Sequence, residues 1–401
     1  MNATAKWLAL ISLYLVQGLP HGFFGQAMPV LLREQGVDLR SIGLMSLVAL
    51  PWALKFIWAP LLDRYTLWPG EYRRSWILLM NYSAVSLLVV LSFVPFEWLV
   101  SDGVLLIALT LMAINVLVAT QDIATDATAV ENLRPAERGL GNGIQVGGYR
   151  VGMVLAGGGL VSVFTFMGWQ MSLLTLAALM ALGTLPLWLW KPRQHTVSDT
   201  GAWSQWLGFF RLKGAGIWLL LILVYKFGDA FGTQMLRPYL SDQGITLEQM
   251  GLLLGTGGFV AGLGGALLGG WLTGRMYRGT AVALFLALEG LALCTYLFVS
   301  PEQMSLVWLA VIAEHITGGM ATAALFTVMM DRCREHSEGG DYALQSCLVI
   351  ISGMVAGSLS GYSAAEFGYA THFVIAAGLC WLACGVVLAA ARKQLFFKRA
   401  V

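Results

Sequence analysis

Apolar residues run along this chain in stretches of about 20, the length that crosses a bilayer core as a helix, and short polar turns separate them. Twelve stretches are read, near 7–31, 42–61, 76–95, 103–128, 140–163, 171–189, 215–239, 250–271, 280–299, 304–329, 343–364 and 371–391. The longest connection, Lys191 to about Lys213, is polar at first and then reads Trp203-Ser-Gln-Trp-Leu-Gly-Phe-Phe, the pattern of an interfacial amphipathic segment. The expected fold is all-α and membrane-embedded: a six-helix bundle over 1–190, a cytoplasmic linker over 191–214 and a second six-helix bundle over 215–401. Apolar residues continue past Pro20 with no Ala-x-Ala site behind them, so the first stretch reads as a retained span rather than a signal peptide.

Composition agrees with this pattern. Of 401 residues 58% are hydrophobic and 11% charged, against roughly 25% charged in a soluble domain. A net charge of +2 is too small to argue for a nucleic-acid partner; the placement of the charges is more informative. With the N-terminus inside, eighteen of the 24 lysines and arginines fall in cytoplasmic segments and only Arg33 and Arg40 in outer loops. That bias places both termini in the cytoplasm. Five cysteines, four of them in apolar stretches, lack metal-ligand spacing and read as small packing residues. No metal and no cofactor are expected.

The two halves repeat. Gly36-Val-Asp-Leu-Arg-Ser-Ile-Gly-Leu44 matches Gly244-Ile-Thr-Leu-Glu-Gln-Met-Gly-Leu252, Asp63-Arg64 corresponds to Gly274-Arg275, and Gly168-Trp169 to Gly368-Tyr369. Parallel repeats of six helices, with a substrate site between them near the midplane, are a transporter organisation.

Ala59-x-x-x-Asp63-Arg64 followed by Arg73-Arg74 resembles the cytoplasmic motif of the major facilitator superfamily, with Ala for its first glycine and a longer gap before the arginines. The resemblance implies a gating role for Asp63, Arg64, Arg73 and Arg74. Leu50-Pro-Trp-Ala-Leu-Lys-Phe-Ile-Trp-Ala-Pro60, Gln121-Asp-Ile-Ala-Thr-Asp126, Glu137-Arg-Gly139 and Gly148-Tyr-Arg-Val-Gly152 resemble the muropeptide-permease and acetyl-CoA-transporter branch. Within it, the short length and Gln17-Gly-Leu-Pro-His-Gly-Phe-Phe look most like siderophore permeases of the rhizobactin and pyochelin type. The implied function is import of a ferric siderophore across a bacterial inner membrane, with a muropeptide or an acetyl-CoA-like metabolite as the alternative. The few Asn and Gln in the spans weigh against a sugar-rich cargo.

Several polar groups lie inside apolar stretches, where a charge is tolerated only when paired or facing water. Asp122 and Asp126 share a helix face. Arg150 reaches a depth similar to Asp122 on the next span, which suggests an Asp122–Arg150 pair, either a static brace or a gate. Lys55 is placed to snorkel. Lys226 and Asp229, three apart, can neutralise one another, and Glu314 beside His315 fits either a proton carrier or a buried pair. Glu289 carries less information. Pro20, with Gly18 and Gly22, breaks the first span and leaves carbonyls free to face a cavity. With the facilitator arrangement, Tyr14, Gln17, His21, Phe23, Phe24, Tyr149 and Arg150 become substrate-binding candidates. Without a nucleotide-binding loop, coupling to protons is expected, through Asp122, Asp126, Glu314 and His315.

The competing class is a membrane-embedded enzyme, which needs a nucleophile or an acid–base set at a loop or helix end. The loop histidines His195 and His336 show no such set. The charge bias predicts that single cysteines at Asp38, Asp102 and Asp242 react with an impermeant maleimide in intact cells while cysteines in 191–213 do not. Labelling of the 191–213 segment would invert the orientation.

Overall fold

The computed structural model describes residues 3–36, 48–101, 103–190, 201–300, 302–393 and 397. The sequence positions Asp38, Gly36–Leu44 beyond Gly36, Asp102 and the linker residues 191–200 lie outside that set. The described residues are helical throughout their ordered elements, with no strand among them.

In the first half the elements are α1 (Ala3–Gly22), a π turn (Phe23–Ala27), α2 (Met28–Glu34), α3 (Leu50–Leu54), a 3-10 turn (Lys55–Ile57), α4 (Ala59–Arg64), α5 (Tyr72–Ser92), α6 (Phe96–Ser101), α7 (Val104–Asn132), α8 (Pro135–Val154), a second π turn (Leu155–Gly159), α9 (Leu160–Gly183) and α10 (Leu185–Leu189). The second half has α11 (Ala202–Leu207), α12 (Ala215–Gln234), α13 (Leu236–Asp242), α14 (Leu247–Met250), a third π turn (Gly251–Gly257), α15 (Gly258–Arg275), α16 (Arg278–Thr295), α17 (Met304–Asp331) and α18 (Glu338–Arg392).

Nine helices among the described residues are long and apolar enough to cross a membrane. The last, α18, has 55 residues. That is about 80 Å at 1.5 Å per residue, more than twice a hydrocarbon core of ~30 Å, so it holds two spans. They divide at Gly368, where φ is 76°. Gly168 does the same inside α9 at φ 68°. Only glycine adopts this backbone routinely, and the two positions are the repeat partners Gly168-Trp169 and Gly368-Tyr369.

The two remaining expected spans are irregular. The second is split by the 3-10 turn at Lys55, because Pro51 and Pro60 sit in the first turns of α3 and α4. Pro60 has no N–H to return to the carbonyl four residues back. The fifth runs through α8, a π turn and the start of α9, and its first half is too polar to pass as a simple apolar helix.

The chain forms two units. Unit 1 comprises Met1–Asn132, Gly148–Trp206 and Arg334–Leu344; unit 2 comprises Leu133–Gly147, Leu207–Cys333 and Gln345–Val401. Unit 1 has a core of Leu19, Phe23, Leu88, Leu111, Leu173 and neighbours. With lipid outside as apolar as the side chains inside, close packing has to hold helices together. α1 and α8 therefore meet backbone to backbone. A Cβ on Gly18 would stand 2.0 Å from the Tyr149 carbonyl oxygen, and one on Gly152 2.1 Å from that of Leu15. In unit 2, α15 and α17 meet similarly at Gly265, whose Cβ would lie 2.2 Å from the Ile316 carbonyl oxygen.

Gly152→Ala should therefore push α1 and α8 apart and cost about 1–3 kcal/mol, as overpacking does. Gly158→Ala, where nothing lies within 4 Å of the added carbon, should be tolerated. Thermal unfolding midpoints of the two purified variants check this; equal midpoints would mean that the α1–α8 approach does not depend on glycine.

Candidate functional site

The close approach of α1 and α8 sets up a polar cluster within unit 1. It brings His21 and Tyr149 to a ring separation of 5.7 Å, and Trp52 of α3 stands edge-on to Tyr149 at 6.4 Å. Trp52 Nε1 donates to Asn115 Oδ1 of α7 at 2.9 Å, and Trp58 Nε1 to Thr120 Oγ1 at 3.0 Å. These bonds tie the broken second span to α7. At the break, Lys55 turns its ammonium onto Asp122 Oδ2; the two side chains are 3% and 7% exposed. Asp126, one turn on, is buried as well, and Tyr14 lies against it. The depth argument assigned Asp122 to Arg150; the partner that the structure gives it is Lys55. Depth counting treated the second span as a regular helix, whereas the 3-10 turn lets Lys55 face inward instead of snorkelling.

Two glutamines add unspent capacity. Gln121 is fully buried with neither amide atom bonded, and Gln17 is buried with its Nε2 unbonded. Asn81, Asn115, Asn142 and Gln145 are also buried in the helices, so the interior is better supplied with amides than a simple count of the spans conveyed.

Unit 2 holds a second cluster. Lys226 of α12 pairs with Asp229 and donates to Thr322 Oγ1 at 3.1 Å. His315 Nδ1 faces Glu314 and the Val311 carbonyl oxygen, the latter at 2.9 Å. Glu289 of α16 reaches the same place, fully buried, and one carboxylate oxygen from each of Asp229, Glu289 and Glu314 lies within 4.8 Å of the others. Two ionised carboxylates at that spacing repel by roughly 3–4 kcal/mol at an effective dielectric near 20.

The third group lies at the start of α18. Asp63 Oδ1 accepts from Gly339 N at 2.9 Å and Oδ2 from Gly340 N at 2.6 Å, capping the helix. A carboxylate there satisfies orphan amides and meets the positive end of the helix dipole. Arg73 Nη2 holds Asp63 Oδ1 at 2.7 Å while its Nε donates to Glu131 Oε1 at 2.8 Å and its Nη1 to the Leu62 carbonyl oxygen at 2.9 Å. Unit 2 has a counterpart in which two arginines grip one acid. Arg138 Nη1 reaches Asp331 Oδ1 at 2.9 Å, and Arg278 Nε reaches Asp331 Oδ2 at 3.0 Å while its Nη2 donates to the Pro135 carbonyl oxygen at 2.6 Å.

Of the residues singled out from sequence, Tyr14 and Tyr149 lie near Asp122 and Asp126, His21 packs on Tyr149, and Gln17 is buried on α1. Phe23 is fully buried in the apolar core, with Phe24 edge-on to it at 5.5 Å. Arg150 is half-buried on α8. Asp63 and Arg73 meet, whereas Arg74 pairs with Glu71 and covers Trp188, and Arg64 lies over Tyr65. Lys226 with Asp229 and Glu314 with His315 form the expected neighbours. Sequence reasoning undervalued Lys55 and Glu289 and missed Glu131 and Asp331. In-span charge was the available signal for the first two.

The chain is similar to known proteins along most of its length. The family model described as Major Facilitator Superfamily matches residues 10–346. The anhydromuropeptide permease of Escherichia coli (strain K12) is 30% identical, covering 97% of this chain and 80% of its own length. A putative transporter AmpG 2 of Rickettsia felis is 25% identical, covering 94% of both chains. Among solved structures, the human organic anion transporter MFSD10 superposes with a TM-score of 0.74 at 13% identity, over 96% of this chain and all of that one. A bacterial homologue of the iron transporter ferroportin gives 0.69 at 16% identity, over 97% and 99%. At these identities the two structures speak for the fold alone.

Removing one member of a buried ion pair typically costs 3–5 kcal/mol, because the other charge is stranded. Lys55→Met and Asp122→Asn should each lower the thermal unfolding midpoint strongly, and the double variant should lose less than the sum. Strict additivity would break the pairing.

Proposed function

The chain belongs to the major facilitator superfamily, and from that premise we propose that it is a proton-coupled permease for cell-wall fragments of the anhydromuropeptide class. It is a multi-pass membrane transporter; we place it in a bacterial inner membrane with both termini in the cytoplasm, working by alternating access. The observation that carries the substrate is the 30% identity to the Escherichia coli anhydromuropeptide permease along 97% of this chain. The siderophore reading, drawn from the first span, gains no support from the two relatives described above, an anhydromuropeptide permease and a putative transporter AmpG 2.

The unit 1 cluster suits such a cargo. A muropeptide presents sugar faces, amides and carboxylates. Tyr149, Trp52 and His21 supply aromatic faces for the sugar, and Gln17 and Gln121 hold buried amide atoms without partners. Such groups are costly to leave unmade, which favours a ligand able to bond them. Lys55 and Arg150 supply cations for carboxylates, with Asp122 as the group that cargo would displace from Lys55. Asp126 and the unit 2 cluster of Asp229, Glu289, Glu314 and His315 are the proton-handling candidates. Asp63 and Arg73 form the gate, holding the first turn of α18.

Purified protein in proteoliposomes should take up a radiolabelled anhydromuropeptide, and unlabelled muropeptide should compete while ferric siderophore and acetyl-CoA should not. Uptake should collapse with a protonophore. Competition by the siderophore alone would return the assignment to iron uptake.

A further inference from the structure

The unit 2 cluster has more acid than base. Asp229 pairs with Lys226 and Glu314 lies beside His315, a cation only when protonated, while among the described residues no ion pair reaches Glu289. The titratable groups around Glu289 are Tyr225, Lys226 and Asp229 on α12, Glu314 with His315 on α17, Tyr296 after α16 and Cys380 on α18. Among the described residues one hydroxyl, Thr317 Oγ1, makes a hydrogen bond with Glu289, through Oε2; Oε1 is buried with no partner among them.

The direction of that one bond is informative. A threonine hydroxyl has a single hydrogen to give. Thr322 and Thr327 on the same helix give theirs to the carbonyl four residues back, Gly318 and Ala323, both at 2.7 Å. Thr317 has the equivalent acceptor, the Ala313 carbonyl oxygen, at 2.9 Å. The Glu314 carbonyl oxygen lies 3.1 Å away as well, so the one hydrogen of Thr317 has three acceptors in reach, Glu289 Oε2 among them; spent on either carbonyl, it leaves the contact with Glu289 to be bridged by a carboxyl hydrogen. A neutral carboxyl also leaves an uncharged oxygen at the orphaned Oε1, where an anion would be far costlier to bury.

We propose that Glu289 is protonated in this conformation and carries the coupling proton, an assignment that rests on the proton-coupled reading above. The proton bonds to Glu289 Oε2 when the cluster faces water on one side and leaves to water on the other. Once it has left, the carboxylate needs a cation, and Lys226 is the one in reach, shared until then with Asp229. Release is thereby tied to a rearrangement of the ion pair on α12. Glu289 is thus the coupling residue.

The test uses full-length protein reconstituted in liposomes, as wild type, Glu289→Gln and Glu289→Asp. Glu289→Gln should still exchange labelled anhydromuropeptide against unlabelled, at a rate that no longer depends on pH, but should lose accumulation driven by a pH gradient. Glu289→Asp, which keeps a titratable group, should recover part of that accumulation. A second measurement needs no substrate: the infrared carbonyl band of a protonated carboxyl should be present in wild type, shifted in Glu289→Asp and missing in Glu289→Gln. Accumulation by Glu289→Gln at the wild-type level, with wild type still sensitive to protonophore, would overturn the role of Glu289 and leave proton coupling standing. Protonophore-insensitive wild type would overturn coupling itself. An infrared band unchanged in Glu289→Gln would show that the proton resides elsewhere.

Discussion

Charge that enters an apolar span must be neutralised inside the protein, because lipid cannot do it. Much of what is irregular in this fold answers that requirement. The second span is broken where Lys55 has to turn inward, and the break is stabilised by indole bonds from Trp52 and Trp58 to α7. In unit 2 the same problem is met without breaking a helix, by placing Lys226 and Asp229 three residues apart on one face and letting Thr322 share the ammonium. The two halves repeat as sequences, yet they solve the buried-charge problem by different local means.

The polar groups are held in place by contacts that have no chemistry of their own. α1 and α8 approach through glycine, so that backbone carbonyls stand where side chains would normally keep helices apart. That closeness places Tyr149 beside His21 and, through Trp52, links both to the Lys55 turn. At the edge of the apolar region the arginines take over. Arg73 spans Asp63, Glu131 and a main-chain carbonyl, and Arg278 does the equivalent for Asp331 and two carbonyls. Arginine suits both places because its fork donates in several directions at once.

Most of the architecture could be read from the chain because hydrophobic length is a strong signal. The kinks at Gly168 and Gly368 were legible as repeat partners, each followed by an aromatic residue. Pairings between distant helices were less accessible. Counting residues inward from Arg134 and Arg138 compares depths only on neighbouring helices that are straight, so it favoured Arg150 and overlooked Lys55 on a span broken by Pro51 and Pro60. Glu289 looked like an outer-helix side chain because nothing in its neighbourhood along the chain shows that α12 and α17 bring three more charged groups and an imidazole to it. The amide content of the interior was underestimated for a related reason. Asn and Gln were weighed by number, whereas the buried and unbonded amides of Gln17 and Gln121 matter by position.

The interleaved make-up of the two units has a consequence for biogenesis. Unit 1 includes Arg334–Leu344, so its last piece is among the final parts of the chain to leave the ribosome. Until Gly339 and Gly340 have been made, Asp63 lacks the amides that it caps, and Arg73 must hold that carboxylate alone. The first six spans can insert as they are synthesised, but the unit to which they belong is complete only after the tenth has been threaded. Unit 1 is therefore incomplete when its first six spans have been made, and it gains its last piece only after the tenth.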